Sequence, residues 1–424
     1  MADLSNNLAG IKSPNPFWLA SAPPTNSGYQ VMRAFEAGWG GVVWKTLGDP
    51  IVNVTSRFAG LNWKQNKIIG FNNIELITDR PLDENLKEIR ECKKAFPDRA
   101  IIGSLMEVPE RAKWHELVKA VQDAGVDGFE LNFGCPHGMS ERGMGSAVGQ
   151  QPDLIEMVTS YAVEAAELPV IVKLTPNITD IRHCARAAAR GGAAAVSMIN
   201  TINSLIGVDL ETWNPIPHVD GKSSHGGYCG PAVKPIALNM VNECARDPEV
   251  AIPISGIGGI SNWQDAVEFF LLGATNVQVC TAVMHHGFRI VEDMIDGLNN
   301  YLNARGLASM SQLIGASQNR ITTWENLNLN YQIVAEIDQS TCIHCSKCYI
   351  ACEDAAHQCI DRNVVDGTAI LVVDADHCVG CNLCMMVCPV EDCITMVEVD
   401  TGLPAESWKQ RTAVSAVGAS TGSA

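Results

Sequence analysis

Ten of the sixteen cysteines lie between Cys342 and Cys393. Eight of these form two runs of one spacing. The first is Cys342-x2-Cys345-x2-Cys348-x3-Cys352, and the second is Cys378-x2-Cys381-x2-Cys384-x3-Cys388-Pro389. A two-residue spacing lets three thiolates wrap one face of a cube, while the fourth cysteine of each run ligates the other cluster. The pattern predicts one 4Fe–4S cluster on Cys342, Cys345, Cys348 and Cys388. A second is predicted on Cys352, Cys378, Cys381 and Cys384. Zinc sites want two ligands per short run, not four. Glu353 stands where a proline usually follows the fourth cysteine, which removes no ligand. Cys359 and Cys393 are left over and read as small buried apolar side chains. Paired clusters carry single electrons, so the rest of the chain should hold a two-electron store, for which a flavin is the natural candidate.

A second set of reactive residues is spread over the first 310. Lys45-Thr46, Lys173, Asn200-Thr201, Cys280-Thr281 and the stretch Asn132 to Gly138 each close an apolar segment. A buried lysine needs an anionic partner, and a reduced flavin is negative at its pyrimidine edge. Gly230, Gly258 and Gly259, with Cys280 and Thr281, would leave bare backbone N–H groups for a phosphate. Cys135 stands beside His137 in a glycine-rich loop that runs through Gly145 and reads as a mobile lid. A free thiol with a pKa near roughly 8.5 is mostly protonated at neutral pH and can act as an acid. Asn73, Asn132, Asn200 and Thr201 offer the mixed donors and acceptors that a planar cyclic imide such as uracil requires.

The elements that must position these residues alternate. Apolar strand-like runs span 16–22, 41–46, 100–106, 128–133, 169–174, 194–200, 252–258 and 276–282. Most are followed by a helical period, as at 82–96, 110–124, 153–167, 180–190, 232–246, 263–272 and 291–304. Eight such units predict a (β/α)8 TIM barrel, with the chemistry at the C-terminal strand ends. An open doubly wound sheet would show Gly-x-Gly-x-x-Gly after its first strand, and none is present. The expected organisation is a barrel over 1–310, a connector over 311–335 and a small α+β two-cluster bacterial ferredoxin domain over 336–398. A flexible tail is expected over 399–424.

The formal net charge is −17. Residues 331–398 carry eleven acids and two bases, a net of −9. That excludes a duplex nucleic-acid binder, which would show a basic face. No run reaches 18 apolar residues, so no membrane span is expected. Residues 1–7 lack a basic and an apolar signal region. Clustered thiols need a reducing compartment, and the expected location is cytoplasmic.

The segment from Asn132 to Gly145 closely resembles the active-site loop of the dihydropyrimidine dehydrogenase family. So do Lys45-Thr46, Asn73-Ile74-Glu75-Leu76, Lys173-Leu174-Thr175-Pro176-Asn177 and Asn200-Thr201. The resemblance covers residues 8–398, with barrel and cluster module in the same order. It implies an FMN-binding barrel of dihydroorotate dehydrogenase type that reduces uracil or thymine to the 5,6-dihydro compound. Hydride would go to C6 and Cys135 would protonate C5. Asn73, Asn132, Asn200 and Thr201 would hold the pyrimidine. FMN contacts would come from Ala20, Ser21, Lys45, Thr46, Lys173, Gly230, Gly258, Gly259, Cys280 and Thr281. Gly134 departs from mammalian members, which have serine there. The chain also lacks their FAD- and NADPH-binding region, so it resembles the two-subunit form. There a separate flavoprotein oxidises NAD(P)H, which makes a hetero-oligomer the expectation. A dihydroorotate dehydrogenase-like flavoenzyme and a non-catalytic iron–sulfur carrier are the competing readings.

Overall fold

Strands buried on both faces read as continuous apolar runs, and parallel ones need a crossover between them. The computed structural model describes residues 2–63 and 65–412. Its strands β1 (Phe17–Leu19), β2 (Gly41–Val43), β3 (Ala100–Leu105), β4 (Gly128–Asn132), β5 (Val170–Lys173), β6 (Ala195–Met198), β7 (Ile254–Ile257) and β8 (Ala274–Val279) form one closed parallel barrel. β8 pairs with β1 through Val277–Phe17 and Val279–Leu19. The TIM barrel expected from the alternation is the fold found. Helices α1 (Gly28–Ala37), α2 (Leu82–Ala95), α3 (Arg111–Gln122), α4 (Pro152–Ala165), α5 (Ile181–Arg190), α6 (Lys234–Ala245), α7 (Trp263–Leu271) and α8 (Ile290–Ala304) follow the strands in turn.

Local chemistry sets the helix limits. Ser27, Asp180 and Asn262 cap α1, α5 and α7 by accepting from backbone N–H groups. Gly38 ends α1 with φ 115°, a value costly for any other residue. β8 stops earlier than its apolar run suggests, because Thr281–His286 turns into a helix. Short apolar runs do not separate strand from buried helix.

Two features at the barrel ends were not expected. A hairpin of Asn6–Leu8 and Ile11–Ser13 packs Leu8 and Ile11 against Trp18, Val43, Ala100, Ile102, Ile171 and Ala195. That plugs the N-terminal end. At the other end the long connections after β2 and β6 pair into a four-stranded antiparallel sheet. Its order is Ile202–Ser204, Gly226–Cys229, Asn66–Asn73 and Phe58–Trp63. These strands are short, polar and glycine-containing, so they lack the alternation that marks a strand.

The chain divides after Asn319 into two compact units. The first part of the expected connector belongs to the barrel unit. Met310 and Leu313 are buried there, and the N–H groups of Gly315 and Ser317 donate to the carbonyls of Phe270 and Leu271. The second unit has two antiparallel pairs: Gln332–Ile337 with Ile394–Val399, and Ile360–Val365 with Thr368–Val373. Helices Lys347–Ala355 and Leu383–Val387 complete it. The first half of the expected flexible tail is instead packed. Leu329 N–H donates to the Glu406 carbonyl, and Trp408 stacks edge-on to Trp324 with centroids 5.7 Å apart. Residues 413–424 lie outside the described residues. Among the described residues no helix is long and apolar enough to cross a membrane.

Candidate functional site

The C-terminal strand ends open into one cleft that encloses about 1140 Å3, its mouth included. Cys135, Asn73, Asn132, Asn200, Thr201, Ala20, Ser21, Lys45, Thr46, Lys173, Gly230, Gly258, Gly259, Cys280 and Thr281 all line it. Its lining mixes backbone, amide, hydroxyl, thiol and lysine groups, as a ligand site requires.

Ser21, Ser104, Thr46, Asn132, Asn200 and Thr201 form one hydrogen-bonded chain. Thr46 Oγ1 lies 2.9 Å from Ser104 Oγ and 3.0 Å from Ser21 Oγ, and accepts from Asn132 Nδ2 at 2.9 Å. Asn132 Oδ1 in turn accepts from Asn200 Nδ2 at 3.0 Å and from Gly134 N–H at 3.2 Å. Asn200 Oδ1 accepts from Thr201 N–H at 2.7 Å. Asn73 Nδ2 donates to the Gly227 carbonyl at 3.1 Å, which ties it to the mouth sheet. A Cβ on Gly134 would run into Asn200, and one on Gly227 into Thr201. Glycine at these two positions therefore lets the amide and hydroxyl sit where they do.

Both lysines are buried. Lys45 Nζ is 2.6 Å from Glu75 Oε1, with Arg57 3.6 Å from the same oxygen. Lys173 is different. Its single polar contact among the described residues is Glu130 Oε1 at 3.5 Å, and that oxygen has no hydrogen-bond partner. Glu130 Oε2 accepts from Ser197 Oγ and Gln278 Nε2 deeper in the barrel. Lys173 is thus charge-balanced yet keeps N–H donors free toward the cleft, which fits the anionic edge of a reduced flavin.

Cys135 begins the loop after β4. Its thiol donates to the His137 carbonyl at 3.5 Å. The loop folds back on itself, Ser146 N–H donating to the Cys135 carbonyl. Gly145, at φ 56°, allows this close return. Met139 and Met144 pack with Ile77 and Met106 around the thiol. Burial pushes the Cys135 thiol up to about 11, and its contact with the His137 backbone only partly offsets this. His137 Nε2 lies 2.9 Å from the Glu75 carbonyl. A carbonyl only accepts, so Nε2 carries the proton and Nδ1 is bare, buried and unpartnered. Burial also holds the His137 imidazole below its ordinary value.

The far end of the cleft is made of backbone. Gly230, Gly258 and Gly259 have φ of 93°, 126° and 77°. A Cβ on Gly259 would meet Lys234, and one on Gly258 would meet Ala237. No side chain caps the helical turn after Gly230 or the one after Cys280. That leaves the backbone N–H groups of Ala232, Thr281 and Ala282 without a side-chain cap, which fits a phosphate.

The second unit holds two cavities. One, of about 350 Å3, is lined by Cys352, Cys378, Cys381 and Cys384. The other, of about 300 Å3, is lined by Cys342, Cys345, Cys348 and Cys388. These are the two sets drawn from the spacing, including the exchange of the fourth cysteine. Cys359 joins the first cavity and Cys393 the second. Among the described residues no three His, Cys, Asp or Glu side chains converge on a single metal ion. Each cavity is framed by thiols from both cysteine runs. All sixteen cysteines are free.

Glu75, Glu130 and Gln278 were missed by sequence reasoning. Glu130 and Gln278 stand two residues before Asn132 and Cys280 on β4 and β8, so strand alternation puts them on the same inward face. Tyr228, Cys229 and Phe71 line the cleft only because of the mouth sheet.

Residues 3–302 match the family model described as dihydroorotate dehydrogenase, and residues 335–396 match that of the 4Fe–4S dicluster domain. The chain is 44% identical to the NAD-dependent dihydropyrimidine dehydrogenase subunit PreA of Escherichia coli (strain K12), over 94% of this chain and 96% of that one. It is 43% identical to the chloroplastic dihydropyrimidine dehydrogenase (NADP(+)) of Arabidopsis thaliana, over 77% and 79% respectively. The catalytic subunit of dihydroorotate dehydrogenase B (NAD(+)) from Pyrococcus abyssi is 37% identical and spans 74% of this chain. Because the PreA likeness runs through barrel and cluster module alike, the chain belongs to the dihydropyrimidine dehydrogenase family of flavin and iron–sulfur oxidoreductases.

Proposed function

We propose that this chain reduces uracil or thymine to the 5,6-dihydropyrimidine. The observation that carries the reading is a protonated thiol, Cys135, standing in the same cleft as a linked set of amides and a lysine with free donors. Asn73, Asn132, Asn200 and Thr201 hold the imide edge of the ring, the last three oriented by the chain from Ser104 and Thr46 and Asn73 by the Gly227 carbonyl. The residues named here would hold FMN, which when bound would supply the hydride for C6. Cys135 Sγ gives its proton to C5 in the same reduction, which leaves a thiolate that solvent must reprotonate. Lys173 faces the negative edge of the reduced flavin, while Gly230, Gly258, Gly259, Cys280 and Thr281 receive the phosphate. The loop folded over Cys135 excludes water from the reacting face.

The electrons come from outside the barrel. The eight named cysteines would hold two 4Fe–4S clusters, which would supply single-electron transfer to the barrel. A partner flavoprotein with FAD and NAD(P)H supplies the electrons, as the word subunit in the PreA name suggests. The reading places this hetero-oligomer in the reducing cytoplasm.

The match to the dihydroorotate dehydrogenase model favours one second reading, with orotate and dihydroorotate as the ligand pair. Orotate brings a carboxylate. Lys45 and Lys173 are already balanced by Glu75 and Glu130, which suits a neutral imide better. Anaerobic mixing of the reduced holoprotein with each acceptor decides. Uracil should reoxidise the flavin and orotate should not; the reverse would exchange the two readings.

A further inference from the structure

A 4Fe–4S cluster takes four thiolates, yet each cluster cavity is lined by five cysteines. The surplus ones, Cys359 and Cys393, are equivalent in position. Each is buried and each immediately precedes a strand, Ile360–Val365 or Ile394–Val399. Their hydrogen bonds differ. Cys359 Sγ lies 3.5 Å from Cys352 Sγ, and the Cys359 backbone N–H donates to the same sulfur at 3.4 Å. The Cys393 thiol stands beside the ligand Cys388 and donates to the Asp338 carbonyl at 3.7 Å, while its backbone N–H donates to the Val390 carbonyl rather than to a sulfur.

A sulfur that ligates iron carries no proton. In the close pair Cys359 must therefore be the donor and Cys352 the acceptor. Cys352 then receives two hydrogen bonds from one residue, S–H and N–H. Donors to a cluster sulfur favour the more negative, reduced state and so raise the potential. Cys393 gives its backbone N–H to the Val390 carbonyl and so lacks the second donor to a ligand sulfur.

We infer that Cys359 is a positioning residue for electron transfer: its hydrogen bonds to Cys352 raise the potential of the cluster held by Cys352, Cys378, Cys381 and Cys384, and not that of its neighbour. This rests on the two-cluster reading above, which iron analysis tests separately. The loss of one hydrogen bond corresponds to about tenfold in electron affinity, or about 59 mV for a one-electron couple.

The test is a potentiometric titration followed by electron paramagnetic resonance on the holoprotein, with iron counted first. Cys359→Ala should keep full iron and lower one midpoint by about that amount, leaving the other in place. Cys359→Ser, which keeps a donor, should stay nearer the parent protein. Cys393→Ala should move neither midpoint as far. A Cys359→Ala protein with full iron and unchanged midpoints would overturn the inference. So would equal shifts in the two alanine variants. Iron lost from both Cys359 variants would overturn it too, by making Cys359 a ligand. Fewer than two clusters in the parent protein would instead sink the two-cluster reading.

Discussion

Packing keeps Cys135 protonated well above neutral pH. Met139, Met144, Ile77 and Met106 surround it, and a thiolate there would lose its hydration. Burial raises the thiol from its ordinary range to about 11. The acid form is the active one, so activity is present below that value and lost as pH rises through it. Pyrimidine-dependent reoxidation of the reduced flavin should therefore stay flat through pH 9 and fall only toward about 11. A falling limb near roughly pH 8.5 in single-turnover mixing would contradict this. Thr46 belongs to the same scale. Its hydroxyl joins Ser21, Ser104 and Asn132. Thr46→Val leaves Asn132 without its acceptor, a loss of about 1.5 kcal/mol. Uracil binding to the FMN-loaded protein, read from the flavin spectrum, should weaken about tenfold. Unchanged affinity would mean that the chain does not orient the amides.

The elements explain why much of this was legible. Parallel barrel strands must be apolar throughout, so the eight runs stood out, and a barrel's chemistry lies at their C-terminal ends. Lys45, Asn132, Lys173 and Cys280 could be picked from position alone. The mouth sheet could not. Gly226-Gly227 and Asn72-Asn73 carry no alternation, and their strands exist only because the connections after β2 and β6 pair with each other. Glu130 and Gln278 escaped for the opposite reason: polar residues inside an apolar strand look like noise until alternation is counted. The turn Ser146–Gly149 shows how tightly the loop is seated. A Cβ on Gly149 would press into the Phe133 carbonyl, just ahead of Cys135. Gly149→Ala should shift the loop and slow pyrimidine reduction at least tenfold, with flavin and iron retained. Parent-like turnover in that variant would show that the loop tolerates displacement.

At the scale of the molecule, two compact units divide the work, a barrel for two-electron chemistry and a module for single electrons. Residues 331–398 are strongly acidic, so a cationic surface on the partner flavoprotein would be steered toward them. Electron delivery from that partner should slow as ionic strength rises. This chain alone should not oxidise NADH with uracil; full activity without a partner would refute the two-subunit reading. Iron and flavin analysis should give about eight iron per FMN.

The most direct test of the central claim is anaerobic single-turnover mixing of uracil with reduced Cys135→Ala holoprotein. FMN and iron should match the parent and uracil should still bind. Flavin reoxidation should be slower by roughly 10²–10⁴-fold, the span usual for a positioned general acid. Reoxidation at the parent rate would contradict the account, because the proton at C5 would then come from elsewhere.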